Sequence, residues 1–120
     1  MSKKTLVLGA SLKPHRYSNI AINRLVNHDH EVVAIGLREG IVADVPIQKG
    51  QPNVAQIDTV TLYLNPRRQV EYYDYILGLK PKRIIFNPGT ENMELIQLAR
   101  KQGIETAIAC TLVMLSVGNY

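Results

Sequence analysis

Apolar residues come along this chain in short unbroken runs, separated by longer amphipathic stretches. The first run, Thr5-Leu6-Val7-Leu8-Gly9, does not alternate with polar residues. It predicts a strand covered on both faces, as in a parallel sheet. From about 18 to 28, Ile22, Leu25 and Val26 recur at helical spacing while Asn23, Arg24 and Asn27 fall elsewhere, which predicts a helix. Residues 31–36 predict a second strand, and residues 58–64, rich in β-branched and aromatic side chains, a third. Residues 40–56 between them have no regular pattern. Pro46, Gly50 and Pro52 break any helix there, Val45-Pro46-Ile47 reads as a short extended piece, and Gly50-Gln51-Pro52-Asn53 as a turn. Pro66 then stands near the first turn of a helix over about 67–77, with Val70, Tyr73 and Leu77 as its buried face. Arg83–Phe86 is a fourth strand. Thr90 is expected to cap the next helix, which carries Glu91 and Glu94 in its first turn and turns Leu95, Leu98 and Ala99 inward. Gly103 ends that helix, residues 105–109 form a fifth strand, and an apolar tail starts at Cys110-Thr111.

Strands that alternate with helices predict an α/β fold with a parallel sheet and right-handed crossovers. The expected architecture is a single Rossmann-like three-layer domain over residues 1–120, with a five-stranded parallel sheet. The order 3-2-1-4-5 is expected from the fold type, not from the pattern itself. A chain of 120 residues suits one domain with a real core and leaves no room for a second. No apolar run reaches the length of a membrane span. Lys3 and Lys4 precede a run too short for a secretion signal, so the expected location is the cytoplasm. With 14 Lys and Arg against 10 Asp and Glu, the net charge of +4 slightly favours small anionic ligands. No basic run interleaves with aromatics, which argues against nucleic acid. The one cysteine, Cys110, excludes an internal disulfide and a thiolate zinc cluster. His28 and His30 lack a nearby third ligand and read as a solvated helix end.

In open parallel sheets, ligands bind beyond the carboxyl ends of the strands where the strand order reverses. Four loops should meet there: 9–18, 36–40, 65–66 and 87–89. In the first, Gly9 permits a sharp turn, Ser11 offers a hydroxyl, Lys13 and Arg16 offer charge, and Ser18 is placed to cap the following helix. That set suits a phosphate at a helix N-terminus. Gly9-Ala10-Ser11 supplies one glycine where the dinucleotide fingerprint needs three. Arg38 follows the second strand, where an NAD site would carry an acid. It suits a phosphorylated ribose instead, the 2′-phosphate of NADP or the 3′-phosphate of coenzyme A. An arginine that is merely solvated, with Glu39 beside it, explains the same residue.

Gly9-Ala10-Ser11-x-x-Pro14-x-Arg16-Tyr17-Ser18, with Asn65-Pro66, Asn87-Pro88-Gly89 and Ala109-Cys110 after the later strands, resembles the small CoA-binding domain family. That family is similar to the nucleotide-binding domain of the succinyl-CoA synthetase α subunit. The resemblance spans nearly the whole chain. It implies that CoA lies along the strand ends, with Gly9, Ala10, Ser11 and Arg16 on the pyrophosphate and Tyr17 next to them. Arg38 would lie near the adenosine phosphate. Leu64, Asn65 and Pro66 would line the adenine or pantetheine path, and Pro88 and Gly89 the pantetheine end. Two loops depart from the family pattern. Leu37-Arg38 stands where Asn-Pro is usual, and Phe86-Asn87-Pro88-Gly89 where Trp-x-Gln-x-Gly is typical.

No Ser/His/Asp set, metal cluster or Tyr-x-x-x-Lys pair is present in the sequence, and no residue is assigned a catalytic role. His15 reads as an exposed loop histidine and Cys110 as an inert buried thiol. The leading reading is a non-catalytic module for a small nucleotide ligand, CoA or an acyl-CoA. An NADP-binding oxidoreductase-like domain and a protein-interaction module that has lost its ligand are the alternatives. Residues 112–117 could pack on the domain or against a second copy, so a homo-oligomer or a partner enzyme subunit is compatible with the chain.

Overall fold

Leu6, Val7 and Leu8, the unbroken apolar run near the start, are wholly buried at the centre of a sheet. The structure is a computed structural model and describes residues 2–120. The strands are β1 (Thr5–Ala10), β2 (Val32–Gly36), β3 (Gly40–Val42), β4 (Val45–Gln48), β5 (Thr59–Leu62), β6 (Arg83–Phe86) and β7 (Glu105–Ile108). The helices are α1 (Tyr17–Asn27), α2 (Pro66–Gln69), α3 (Tyr73–Gly78), α4 (Met93–Lys101) and α5 (Thr111–Val117), with a 3-10 turn at Val70–Tyr72 between α2 and α3. Alternate residues of the central strands point to opposite sides. Leu6, Leu8, Val60, Leu62, Ile84 and Phe86 meet α3 and α4 in one core. Val7, Ala34 and Ile47 meet Ile22 and Leu25 of α1 and Leu115 of α5 in the other. Two buried faces explain why the strands read as continuous apolar runs. No described helix is long and apolar enough to cross a membrane.

The expected α/β class with a mainly parallel sheet is observed, but the strand count and order are not as expected. Among the described residues the sheet has seven strands, ordered β3-β4-β2-β1-β5-β6-β7. The two additional strands are a hairpin inside the segment that had no regular pattern. Its turn, Ala43-Asp44, has φ of 51° and 65°, as a two-residue hairpin turn requires. Val42 pairs with Val45, and Ile41 with Pro46. Pro46 is tolerated because β4 pairs with β2 only from Ile47 onward, so no ladder bond is asked of its nitrogen. β4 occupies the place beside β2 that had been expected for residues 58–64. Those residues, as β5, pair instead with β1 from Thr5↔Thr59 to Leu8↔Leu62. The order in which successive strands join the sheet therefore reverses between β1 and β5, which remain parallel.

The helices differ locally from expectation. α1 starts from Arg16 with no side-chain cap, and Ser18 lies inside the helix instead of capping it. The helix expected over 67–77 is broken. Asn65 caps α2 by accepting from the Arg68 N–H at 3.0 Å, and the 3-10 turn then tightens the path into α3. The break turns Val70 out to 56 % exposure, whereas Ile76 and Leu77 are buried. α4 is capped by Asn92, whose Oδ1 accepts from the Leu95 N–H. Thr90 instead donates its hydroxyl to the Asn87 carbonyl at 2.8 Å. The apolar tail folds as α5, with Leu115 packed on the α1 side.

Candidate functional site

The reversal between β1 and β5 opens a cavity at the carboxyl ends of the strands, and glycines shape its floor. Gly9 has φ of +99° and sits where the pairing of β1 with β2 shifts register. A Cβ there would lie 2.9 Å from the Tyr63 carbonyl carbon. The first loop is thereby brought against the end of β5, where Tyr63 N–H donates to the Leu8 carbonyl at 2.8 Å. At Gly36 a Cβ would collide with the Ala10 carbonyl, so the second loop also approaches the first closely. Asn19 Nδ2 then donates to the Ser11 carbonyl at 2.9 Å and ties the loop to α1.

The cavity has two chambers. The first, of about 380 Å³, is lined by Gly9, Ala10, Ser11, Leu12, Lys13 and Arg16 from the first loop. Ile35, Gly36, Leu37 and Arg38 supply a second side, and Tyr63, Leu64, Arg68 and Tyr72 a third. Its wall thus holds the cations Lys13, Arg16, Arg38 and Arg68 and no carboxylate. The second chamber, of about 340 Å³, shares Gly9, Ser11, Arg16 and Tyr63 with the first. It adds Tyr17 and Ser18 from the start of α1, then Asn65, Pro88, Gly89 and Thr90. The helix N-terminus adds its own preference for negative charge.

Buried hydrogen bonds hold these walls. Gln69, completely buried, donates through Nε2 to the carbonyls of Leu64 and Thr90, both at 2.8 Å. Its Oε1 accepts from Asn92 Nδ2 at 3.0 Å. Asn87 donates to Thr61 Oγ1 at 2.7 Å and to the Leu62 carbonyl at 2.9 Å, and its Oδ1 accepts from the Thr111 N–H at 2.8 Å. The Tyr63 hydroxyl is buried without a hydrogen-bond partner among the described residues. Burial raises its pKa far above the ordinary phenol value. Burial also raises the Tyr72 pKa, with Glu71 adding to the shift and Arg68 opposing it.

Of the residues expected from sequence, Gly9, Ala10, Ser11, Arg16, Arg38 and Leu64 line the first chamber, and Tyr17, Asn65, Pro88 and Gly89 line the second. Pro66 lines neither. It begins α2, where its fixed φ suits the first helical position. Cys110 and His15 also lie outside both walls. Sequence reasoning missed Tyr63, Arg68, Tyr72 and Gln69. Arg68 was visible only as a polar residue three after Asn65, an N-cap type, which marks where a helix would begin and aim its first turn.

Residues 3–116 match the family described as the CoA binding domain. The chain belongs to the CoA-binding domain family. A crystal structure of an uncharacterized protein is 50 % identical in sequence, with a TM-score of 0.97 over 100 % of this chain and 99 % of that one. A hypothetical protein from Pyrococcus horikoshii OT3 is 24 % identical, with a TM-score of 0.86 over 97 % of this chain and 83 % of that one. A protein from Thermus thermophilus is 16 % identical, with a TM-score of 0.80 over 99 % and 91 %. These two share the fold of this CoA-binding domain. No curated protein matches its sequence.

Proposed function

We propose that this chain is a non-catalytic module that binds CoA, free or acylated, across the carboxyl ends of β1, β2 and β5. The observation that carries the reading is the first chamber, in which Lys13, Arg16, Arg38 and Arg68 face one cavity with no acid among them. CoA brings a pyrophosphate and a 3′-phosphate, so its charge fits a wall of several cations better than a neutral ligand does. Each chamber is of ligand-binding size. Gly9, Ala10, Ser11 and Arg16 would hold the pyrophosphate, and Arg38 the 3′-phosphate, with Arg68 facing it across the chamber and Tyr72 beside the adenosine. The pantetheine arm would then pass Tyr17, Leu64 and Asn65 toward Pro88 and Gly89.

NADP carries similar charge. It carries the same pyrophosphate too, and what speaks against it is that Gly9-Ala10-Ser11, with one glycine, departs from the three-glycine dinucleotide fingerprint. Calorimetry with CoA, dephospho-CoA and NADP tests the reading. CoA is expected to bind most tightly and dephospho-CoA at least about tenfold more weakly, the loss of one charge-assisted contact. Negligible heat from all three would overturn it.

A further inference from the structure

The first chamber supports an inference that rests on the CoA reading above and concerns what holds its first loop in place. Residues 12–16 of that loop are all exposed, and they bring Lys13 and Arg16 into the chamber wall. The hydrogen bonds of this stretch stay local. Lys13 N–H donates to Ser11 Oγ at 3.1 Å, and Arg16 N–H to the Lys13 carbonyl at 3.1 Å. The contact that reaches across to the second loop is apolar. Leu12 lines the chamber and lies against Gly40, where an added Cβ would collide with Leu12 Cδ2 and stand 2.8 Å from Cδ1. Gly40 itself is not in the wall.

Gly40 does not have a positive φ, so its backbone does not ask for glycine. At Gly9 and Gly36 an added Cβ would meet backbone, but at Gly40 the three nearest atoms all belong to the Leu12 side chain. The seat is also held firmly. Gly40 pairs with Ile47, which is buried in the second core, and Ile47 pairs with Ala34 of β2. We propose that Gly40 is a positioning residue for the phosphate site. The bare backbone at the start of β3 seats Leu12, and Leu12 keeps Lys13 and Arg16 where the ligand's phosphates meet them. A side chain at position 40 would push Leu12 off its seat and shift the loop that carries both cations. The β3–β4 hairpin segment then serves the site twice: Arg38 lines the chamber directly, and Gly40 sets the other two cations from across the mouth.

Nuclear magnetic resonance and calorimetry on the full chain test this. In the free protein the Leu12 methyl groups should show an Overhauser contact to the Gly40 α protons. Gly40→Ala should move the Lys13 and Arg16 amide signals while leaving the urea midpoint nearly unchanged, because the obstacle is the end of a flexible side chain. CoA should bind this variant at least about fivefold more weakly, the worth of one hydrogen bond. Leu12→Ala removes the obstacle, so adding Gly40→Ala in that background should cause no further loss of affinity. An equal loss in both backgrounds would show that Gly40 does not act through Leu12 and would overturn the proposal. If CoA binds Gly40→Ala as tightly as the unaltered protein, or the Leu12–Gly40 contact is missing, the proposal fails and the CoA reading stands. If the unaltered protein binds no CoA, both fail.

Discussion

Replacing Gly9 by alanine tests the step on which the site's geometry depends. The residue has φ of +99°, and an added Cβ would meet the Tyr63 carbonyl carbon at 2.9 Å. A left-handed backbone costs a residue with a Cβ about 1–2 kcal/mol. Forcing β1 and β5 apart adds overpacking of about 1–3 kcal/mol, because the obstacle is backbone and cannot rotate away. Gly9→Ala should therefore lower stability by about 2–5 kcal/mol. Gly50 separates the two terms. Its φ is +73°, and a Cβ there would meet nothing within 4 Å, so Gly50→Ala should cost only the backbone part, about 1–2 kcal/mol. Urea unfolding followed by circular dichroism reads both, as a shift in midpoint at unchanged slope. CoA affinity of Gly9→Ala, measured in the folded fraction, should fall as well, since Gly9 lines both chambers. Equal costs at the two positions would falsify the claim that a close backbone approach shapes the floor.

Gln69→Leu keeps the volume but leaves the Leu64 and Thr90 carbonyls and Asn92 Nδ2 short of partners; urea unfolding should show a loss of about 2–4 kcal/mol, and a loss below about 1 kcal/mol would remove Gln69 from its role. Arg38→Ala and Arg68→Ala should each weaken CoA binding about tenfold and flatten its dependence on salt, measured by calorimetry at two ionic strengths; unchanged affinity in both would remove these arginines from the site. Burial raises the Tyr63 pKa, so its contribution to stability is complete below the unfolded-state pKa near 10 and is lost as pH rises from there toward the folded-state pKa. Tyr63→Phe should cost little at pH 7, because the hydroxyl has no partner among the described residues. It should lessen the fall in thermal midpoint above about pH 10 without abolishing it, since burial also raises Tyr72, Tyr73, Tyr75 and Tyr120; an unchanged alkaline profile would contradict the assignment.

The sequence carried the parallel α/β class because strands buried on both faces, such as Leu6-Val7-Leu8 and Ile84-Ile85-Phe86, leave a continuous apolar run that little else produces. The hairpin was illegible for a physical reason. Its turn uses Ala43-Asp44 at positive φ where Asn-Gly would have announced it, and Pro46 counts against a strand unless the pairing register is known. With β4 hidden, residues 58–64 are expected on the outer side of β2, whereas they lie on the other side of β1, and the expected order fails for that reason. The caps failed through near neighbours. Thr90 and Asn92 are both good N-cap residues, and only the fold decides that the helix starts after the second. Most of the cavity lining was legible because topology alone gathers strand-end loops, whatever their sequence. Arg68 and Tyr72 were not, because an unbroken helix over 67–77 gave no reason to place them at the cavity; in the structure Arg68 stands in the short α2 that Asn65 caps, and Tyr72 in the 3-10 turn after it.

The central claim is that CoA binds where β1 and β5 part, with its phosphates among the four cations of the first chamber. Amide chemical-shift mapping of isotope-labelled protein during titration with CoA tests it most directly. The account predicts the largest changes at Gly9–Ser18 (Pro14 having no amide), Gly36–Arg38, Asn65 and Gly89, and predicts that dephospho-CoA reproduces them except near Leu37 and Arg38. Saturable shifts confined to other surfaces, such as β7 or the β3–β4 hairpin turn, would contradict it.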